Sequence, residues 1–372
     1  MNTLNRLVFL LTIFTTILLL AACTDSTSQD AEEEENNTKE TEKEEKPDKS
    51  EEEKKEQEPS QPYEALEPSE DAKPLKEKLS EDELKNMPKS QRNGVDNPKR
   101  AVPAGDMLVK DAEDNTDGPL KNNRLVAFYG HPNSENMGIL GEMEPEAFMK
   151  KLKEQTQAYS NADPERPAIP TIELITTAAQ REPGPDGKYY RMTPEEEIEK
   201  YSELAKENNA LLLLDIQLGT DSVMNQVKLI EKYLKEPHVH LAIDTEFRVG
   251  EGEVPGEDLG QVDGEEVQEA VEYLSKIVEE NNLPDKFVLL HQFTDGVLTN
   301  KDAVQPTDNV QVALNFDGWG NSVDKQTLYR KFVRDDTSQY GGFKIFYNKD
   351  EPVMNPEDVV KLDPGPAIVN YQ

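Results

Sequence analysis

The stretch "VHLAIDTEF", residues 239–247, decides the fold. Its apolar run reads as a buried strand, and Asp244 and Glu246 end it two residues apart, on one face. Seven further runs have the same build: "RLVAFYGHP" (124–132), "AIPTIELITT" (168–177), "ALLLLDIQLG" (210–219), "KFVLLHQFTDG" (286–296), "VQVALNFDGWG" (310–320), "GFKIFYN" (342–348) and "AIVNYQ" (367–372). Each is strand-length and rich in Val, Ile, Leu or aromatic residues.

Helical patterns lie between them. "EPEAFMKKLKEQTQAY" follows the first run and "TPEEEIEKYSELAKENN" the second, where Thr193 reads as the cap and Pro194 as the first helical residue. "DSVMNQVKLIEKYLKE", opened by Asp221, follows the third, and "GEEVQEAVEYLSKIVEENN", with Val267, Val271, Leu274 and Val278 on one stripe, the fourth. "NKDAV", "SVDKQTLYRKFVRD" and "NPEDVVKL" complete the alternation. Eight strands alternating with helices over about 250 residues predict a (β/α)8 barrel. A doubly wound sheet would carry a Gly-rich phosphate loop after its first strand, and none is present. No helical pattern follows the eighth run, so the segment before the first strand is expected to cover that gap.

The rest of the 372-residue chain differs in composition. Residues 1–22, "MNTLNRLVFLLTIFTTILLLAA", read as a signal peptide, with Arg6 before an apolar stretch too short for a stable span. Leu20-Ala21-Ala22-Cys23 resembles a bacterial lipoprotein box. That resemblance implies cleavage before Cys23, acylation of Cys23, and anchoring of the body outside the cytoplasm through the lipid bilayer. Residues 23–62 are crowded with Glu and Lys and predict a disordered tether. Residues 63–120 are transitional, with a surface helix expected in "LKEKLSEDELKNM", and 121–372 form the barrel. Cys23 is the sole cysteine, which excludes an intrachain disulfide and a thiolate-rich metal site. A net charge of −35, from 41 basic and 76 acidic residues, excludes a sequence-independent grip on nucleic acid.

Barrel enzymes work at the carboxyl ends of their strands. Inward parity gathers Tyr129 and His131 from the first run, Glu173 from the second, and Asp215 and Gln217 from the third. Asp244 and Glu246 come from the fourth, His291 from the fifth, Asn315 and Asp317 from the sixth, Tyr347 from the seventh and Tyr371 from the eighth. Trp319, between two glycines, is placed to project over the mouth. The loop "REPGPDGKYYRM" (181–192) is expected to wall the cleft. Carboxylates, amides and aromatic faces in one mouth point to a polysaccharide or other envelope glycan, with no dissociable cofactor.

The ending "LAIDTEF" resembles the fourth-strand motif of family 18 chitinases and family 25 lysozymes. The resemblance implies that Glu246 protonates the leaving oxygen while Asp244 assists the substrate's own N-acetyl group. This chain departs from the chitinase motif at Val239 and Ala242, where that motif has Asp. From the family 25 lysozymes it departs at the first strand, with Tyr129 and His131 in place of an Asp. "AIDTEF", "VPGEDLG" and "LLHQF" together resemble a group of secreted bacterial proteins of undefined activity. Residues i and i+2 of one strand cannot flank a sugar ring, so the opposing carboxylate is expected from Asp215 or Asp317. Two other readings remain open. One is a non-catalytic glycan receptor. The other is a metal-dependent hydrolase using His131, His291 and the acids, while the "HVH" of His238 and His240 sits at the wrong end of its strand.

Overall fold

The computed structural model describes residues 61–75, 100–336 and 339–372. The signal segment, Cys23, nearly all of the tether and the helix expected after Leu75 lie outside them. In chain order the strands are β1 (Arg124–Gly130), β2 (Ala168–Ala179), β3 (Tyr190–Met192), β4 (Leu211–Gly219), β5 (Val239–Arg248) and β6 (Val262–Asp263). They continue with β7 (Lys286–Gln292), β8 (Leu298–Thr299), β9 (Val310–Phe316), β10 (Tyr340–Ile345) and β11 (Ile368–Tyr371). Eight of them run parallel in the order β1-β11-β10-β9-β7-β5-β4-β2, and β2 pairs back to β1. The sheet is therefore closed, with helices between its strands: a (β/α)8 barrel. The three short strands are additions: β3 pairs antiparallel with the end of β2, and β6 pairs with β8 above the barrel.

Strand alternation sorts the side chains. Leu241 and Ile243 of β5 face outward into the layer shared with the helices, while Ala242 faces the barrel interior. The inward residues at the amino ends, such as Leu125, Ile169, Leu213, Phe287 and Leu289, make an apolar floor. Further along each strand the same parity turns polar. That switch is what converts a packed interior into a site.

The helices are α1 (Pro145–Ala162), α2 (Glu195–Glu207), α3 (Val223–Leu229), α4 (Glu231–Leu234), α5 (Gly264–Asn281), α6 (Ser322–Tyr329) and α7 (Pro356–Val359). In α5 the stripe Val267, Val271, Leu274 and Val278 is buried, and each such side chain contributes roughly 1.5–3 kcal/mol relative to exposure. Asp263 caps it by accepting from the Glu265 amide at 2.9 Å. Two helix starts differ from the sequence expectation. Pro194, not Thr193, holds the cap position of α2, because the Thr193 hydroxyl donates instead to the Ile175 carbonyl at 2.8 Å. Ser222, not Asp221, caps α3, accepting from the Asn225 amide at 3.2 Å.

The described parts of the segment before β1, residues 61–75 and 100–123, form no α-helix in the place of an eighth. Met107 and Leu120, with Tyr63, Ala65 and Leu108 against them, pack onto the apolar floor and close the foot of the barrel. Leu66 bridges to Ala168 and Leu108 to Tyr340. Arg100 donates to the carbonyls of Lys361 and Leu362, and the Ala101 amide donates to Asp363 at 2.7 Å. The seam between β11 and β1 is flanked instead by α1 meeting α7.

Candidate active site

Register builds the site level by level. Asp244 of β5 lies beside His291 of β7, His291 beside Asn315 of β9, and Asn315 beside Gly342 of β10. Tyr129 of β1 lies beside Glu173 of β2, and Lys344 of β10 beside Asn370 of β11.

His291 is the hub, and both its ring nitrogens face carboxylates. Nε2 is 2.8 Å from Glu173 Oε1, and Nδ1 is 2.7 Å from Asp317 Oδ2. Burial pushes the ring toward neutrality, but Asp317 and Glu173 outweigh it and hold His291 protonated well above the usual value. As an imidazolium it donates to both acids. The second Glu173 oxygen accepts from Asn370, and Asn315 donates to Asp317. Lys344 Nζ is 3.4 Å from Asp317 Oδ2 and 3.7 Å from the centre of the Tyr129 ring, a close cation–π contact. Burial disfavours its charge too, yet Asp317 first, then Glu173, hold Lys344 above its ordinary value.

The acids divide into two groups. Burial also works against the charge of Asp317, but His291 and Lys344 overcome it and keep this carboxyl below its usual range. Burial first, and then Asp317, raise Glu246, which is half-buried at the rim. Burial, Glu246 and Asp215 raise Asp244 well above the carboxylate range. Asp244 is 3% exposed, and no hydrogen-bond partner for its carboxyl is found among the described residues. Asp215 lies fully buried, accepting from the Tyr129 hydroxyl at 3.2 Å, with Oδ1 unpartnered. Burial pushes it up to about 7.

That last shift gives a pH signature. Between about pH 4 and 7 the unfolded chain releases the Asp215 proton while the folded chain keeps it. Stability contributed at this site therefore falls as pH rises through that window. Unfolding curves at pH 4.5 and 7.5 should show the parent losing a few kcal/mol relative to Asp215→Asn. Parallel behaviour of the two proteins would show that Asp215 titrates as it does in the unfolded chain.

A cavity of about 400 Å³ opens at the carboxyl ends of the strands. Tyr129, Gln217, Asp244, Glu246, Asp317 and Lys344 supply its polar wall, and Phe247, Phe293, Phe346 and Trp319 an aromatic one. Gln217 donates to the Tyr129 hydroxyl at 3.1 Å and accepts from the Ala179 amide. Glu173, Asp215, His291 and Asn315 do not line the cavity; they lie buried and orient those that do. Trp319 is 63% exposed at the rim.

Three residues expected in the mouth lie elsewhere. β1 ends at Gly130, so His131 leaves the alternation and turns to Thr193, with Nε2 3.2 Å from its hydroxyl and Nδ1 accepting from the Asn133 amide. Tyr371 belongs to the outward parity: its hydroxyl is 2.7 Å from that of Tyr159, and Tyr347 stacks on its ring at 5.1 Å. Tyr347 reaches Gln155, also outside the barrel. The inward residues of β10 and β11 are Lys344 and Asn370. The 181–192 loop does not reach the cavity; it folds back through β3, and Lys188 pairs with Asp221 at 2.8 Å. Among the described residues no group of three or more His, Cys, Asp or Glu is arranged to hold a metal ion.

Asn315 fits only because Gly342 faces it. A Cβ at Gly342 would stand 2.2 Å from Asn315 Oδ1. Gly342→Ala should push Asn315 off Asp317 and destabilise the barrel by about 1–3 kcal/mol, read as a lower urea midpoint. An unchanged midpoint would mean the interior yields more easily than this contact implies.

No known protein family matches the chain, and no curated protein matches it. Among solved structures, a glycerophosphoryl diester phosphodiesterase from Parabacteroides distasonis is similar over 71% of this chain and 90% of its own. The identity is 14% and the TM-score 0.30, and a likeness of that size carries no argument about chemistry.

Proposed function

We propose that the barrel mouth binds a polysaccharide of the cell envelope or its surroundings and hydrolyses a glycosidic bond, with Glu246 as proton donor. One observation supports this above the others. Glu246 and Asp317 line one cavity, and their surroundings push their protonation in opposite directions. Glycosidic cleavage needs a neutral carboxyl for the leaving oxygen and an ionised one for the positive charge that develops on the sugar or for the attacking water. Glu246 lies near the end of β5 and Asp317 follows β9, with β7 between them, so the two come from different strands, as flanking a sugar demands. Asp244, pushed toward its neutral form by burial and Glu246 and with no hydrogen bond to another described side chain, is suited to donate a hydrogen bond to a substrate carbonyl or hydroxyl.

The exposed indole of Trp319 fits a stacked sugar face. Trp319→Ala should raise KM up to about tenfold while leaving kcat nearly unchanged. A fall in kcat alone would contradict a stacking role. In this reading Cys23 is acylated, and the Glu/Lys-rich tether holds the barrel off the extracytoplasmic face of the cell membrane.

A second reading, a glycan receptor without turnover, is favoured by how firmly Asp317 is engaged by His291, Asn315 and Lys344. The full chain, incubated with peptidoglycan, chitin oligomers and a set of bacterial polysaccharides, separates the two. New chain ends seen by mass spectrometry support the hydrolase. Retained but uncut glycan supports the receptor.

A further inference from the structure

Most lysines of the described region meet a carboxylate, as Lys188 meets Asp221, Lys232 meets Glu195 and Lys325 meets Asp350. In so acidic a chain that is the expected outcome. Lys349 differs. It is exposed, it lines the cavity, and no carboxylate lies within ion-pair distance of it among the described residues. Its neighbour Asp350 is already held by Lys325. The Lys349 ammonium instead stands 5.8 Å from the centre of the Trp319 ring and 5.3 Å from that of Phe346. The same cavity holds a second cation, Lys344, and the buried, unpartnered carboxyl of Asp244.

We infer that the cavity takes an anionic glycan, in which a sugar stacked on Trp319 sets its carboxylate or phosphate group against the Lys349 ammonium. The inference rests on the carbohydrate reading above and names the substrate class of that site. A net charge of −35 opposes any anion at long range, but salt screens exposed charges beyond roughly 8 Å. Selection is therefore local. Locally, Glu246 and Asp244 are both raised toward the neutral form, so the wall is less negative than its residue types imply. The remaining acidic side chain of the wall, Asp317, is already shared by His291 and Lys344. A ligand anion meeting Lys349 replaces water on the ammonium and displaces no carboxylate from ion-pair distance.

Matched probes test this by calorimetry on the full chain. One pair is oligogalacturonate and its carboxyl-reduced neutral counterpart; the other is a phosphate-bearing oligosaccharide and its dephosphorylated form. In one pair the anionic member should bind about tenfold more tightly, the size of one charge-assisted hydrogen bond. Lys349→Gln should bring its two members level, and added salt should narrow their gap in the parent. Preference in the first pair identifies a uronate, and in the second a phosphate. Equal affinity within both pairs, or a preference that survives in Lys349→Gln, overturns the inference. If the neutral members still bind and Trp319→Ala weakens them, only the anion assignment has failed. Binding by none of the four overturns the carbohydrate reading with it.

Discussion

Glu246→Gln is expected to lower kcat for glycan cleavage by about 10²–10⁴-fold, with KM little changed. Gln keeps the size and hydrogen-bonding reach of Glu but has no acidic proton to give. Glu246 lines the cavity at the end of β5, half-buried, with Asp317 raising its affinity for a proton. The sign of the pH dependence follows. A donor must be protonated, so activity falls as pH rises past the Glu246 pKa. Asp317→Asn removes the negative neighbour, lowers that pKa, and moves the alkaline limb of any residual activity to lower pH. A Glu246→Gln enzyme with undiminished kcat would remove Glu246 from the chemistry. A rise in KM alone would make it a binding residue.

Lys344→Met is expected to destabilise the barrel by about 3–5 kcal/mol, the usual penalty for removing one partner of a buried ion pair. The Lys344 side chain is 4% exposed, and its loss leaves Asp317 and Glu173 to share His291 alone. The folded state raises the Lys344 pKa, so its contribution is complete below the unfolded value near 10.4 and is lost as pH climbs through the folded one. The deficit should therefore be constant across neutral pH. Asp317 works in the opposite sense: its pKa is depressed, so its contribution is present above about 3.9 and is lost as pH falls through the folded value. Without Lys344 that depression shrinks, and acid unfolding should begin at higher pH than in the parent. Urea titrations at neutral and acid pH measure both effects. A variant as stable as the parent at neutral pH would mean that the ammonium is not what balances these acids.

The barrel was legible because each of its eight strands carries its own apolar run, closed by a polar end. Strands covered on both faces cannot hide that signal. The inward parity of β2, β4, β5 and β7 was legible as well, since Glu173, Asp215, Asp244 and His291 each interrupt an otherwise apolar alternation. On β10 aromatic residues stand on both faces, and on β11 the aromatic Tyr371 draws attention to the outer face, so both mask the parity. In "GFKIFYN" the informative residue was Lys344, flanked by Phe343 and Ile345, which face the outer layer. A charge between two such residues has only the polar interior to enter. In "AIVNYQ", Ile368 on the floor fixes Asn370 as inward and Tyr371 as outward by the same rule. His131 lay one residue beyond the end of β1, where alternation no longer holds. The foot of the barrel was not legible. Its plug is built from irregular chain around residues 61–75 and 100–120, whose contacts are long-range and leave no periodic trace.

The central claim is that Glu246 keeps its proton to higher pH than an ordinary glutamate, while Asp317 in the same cavity gives its proton up at lower pH than an ordinary aspartate. Carbon-13 NMR of the side-chain carboxyls reads it without knowledge of the substrate. The account predicts a glutamate resonance, absent from Glu246→Gln, that titrates above the ordinary value near 4.3 and shifts down in Asp317→Asn. A Glu246 resonance that titrates at the ordinary value, unmoved by Asp317→Asn, would contradict it.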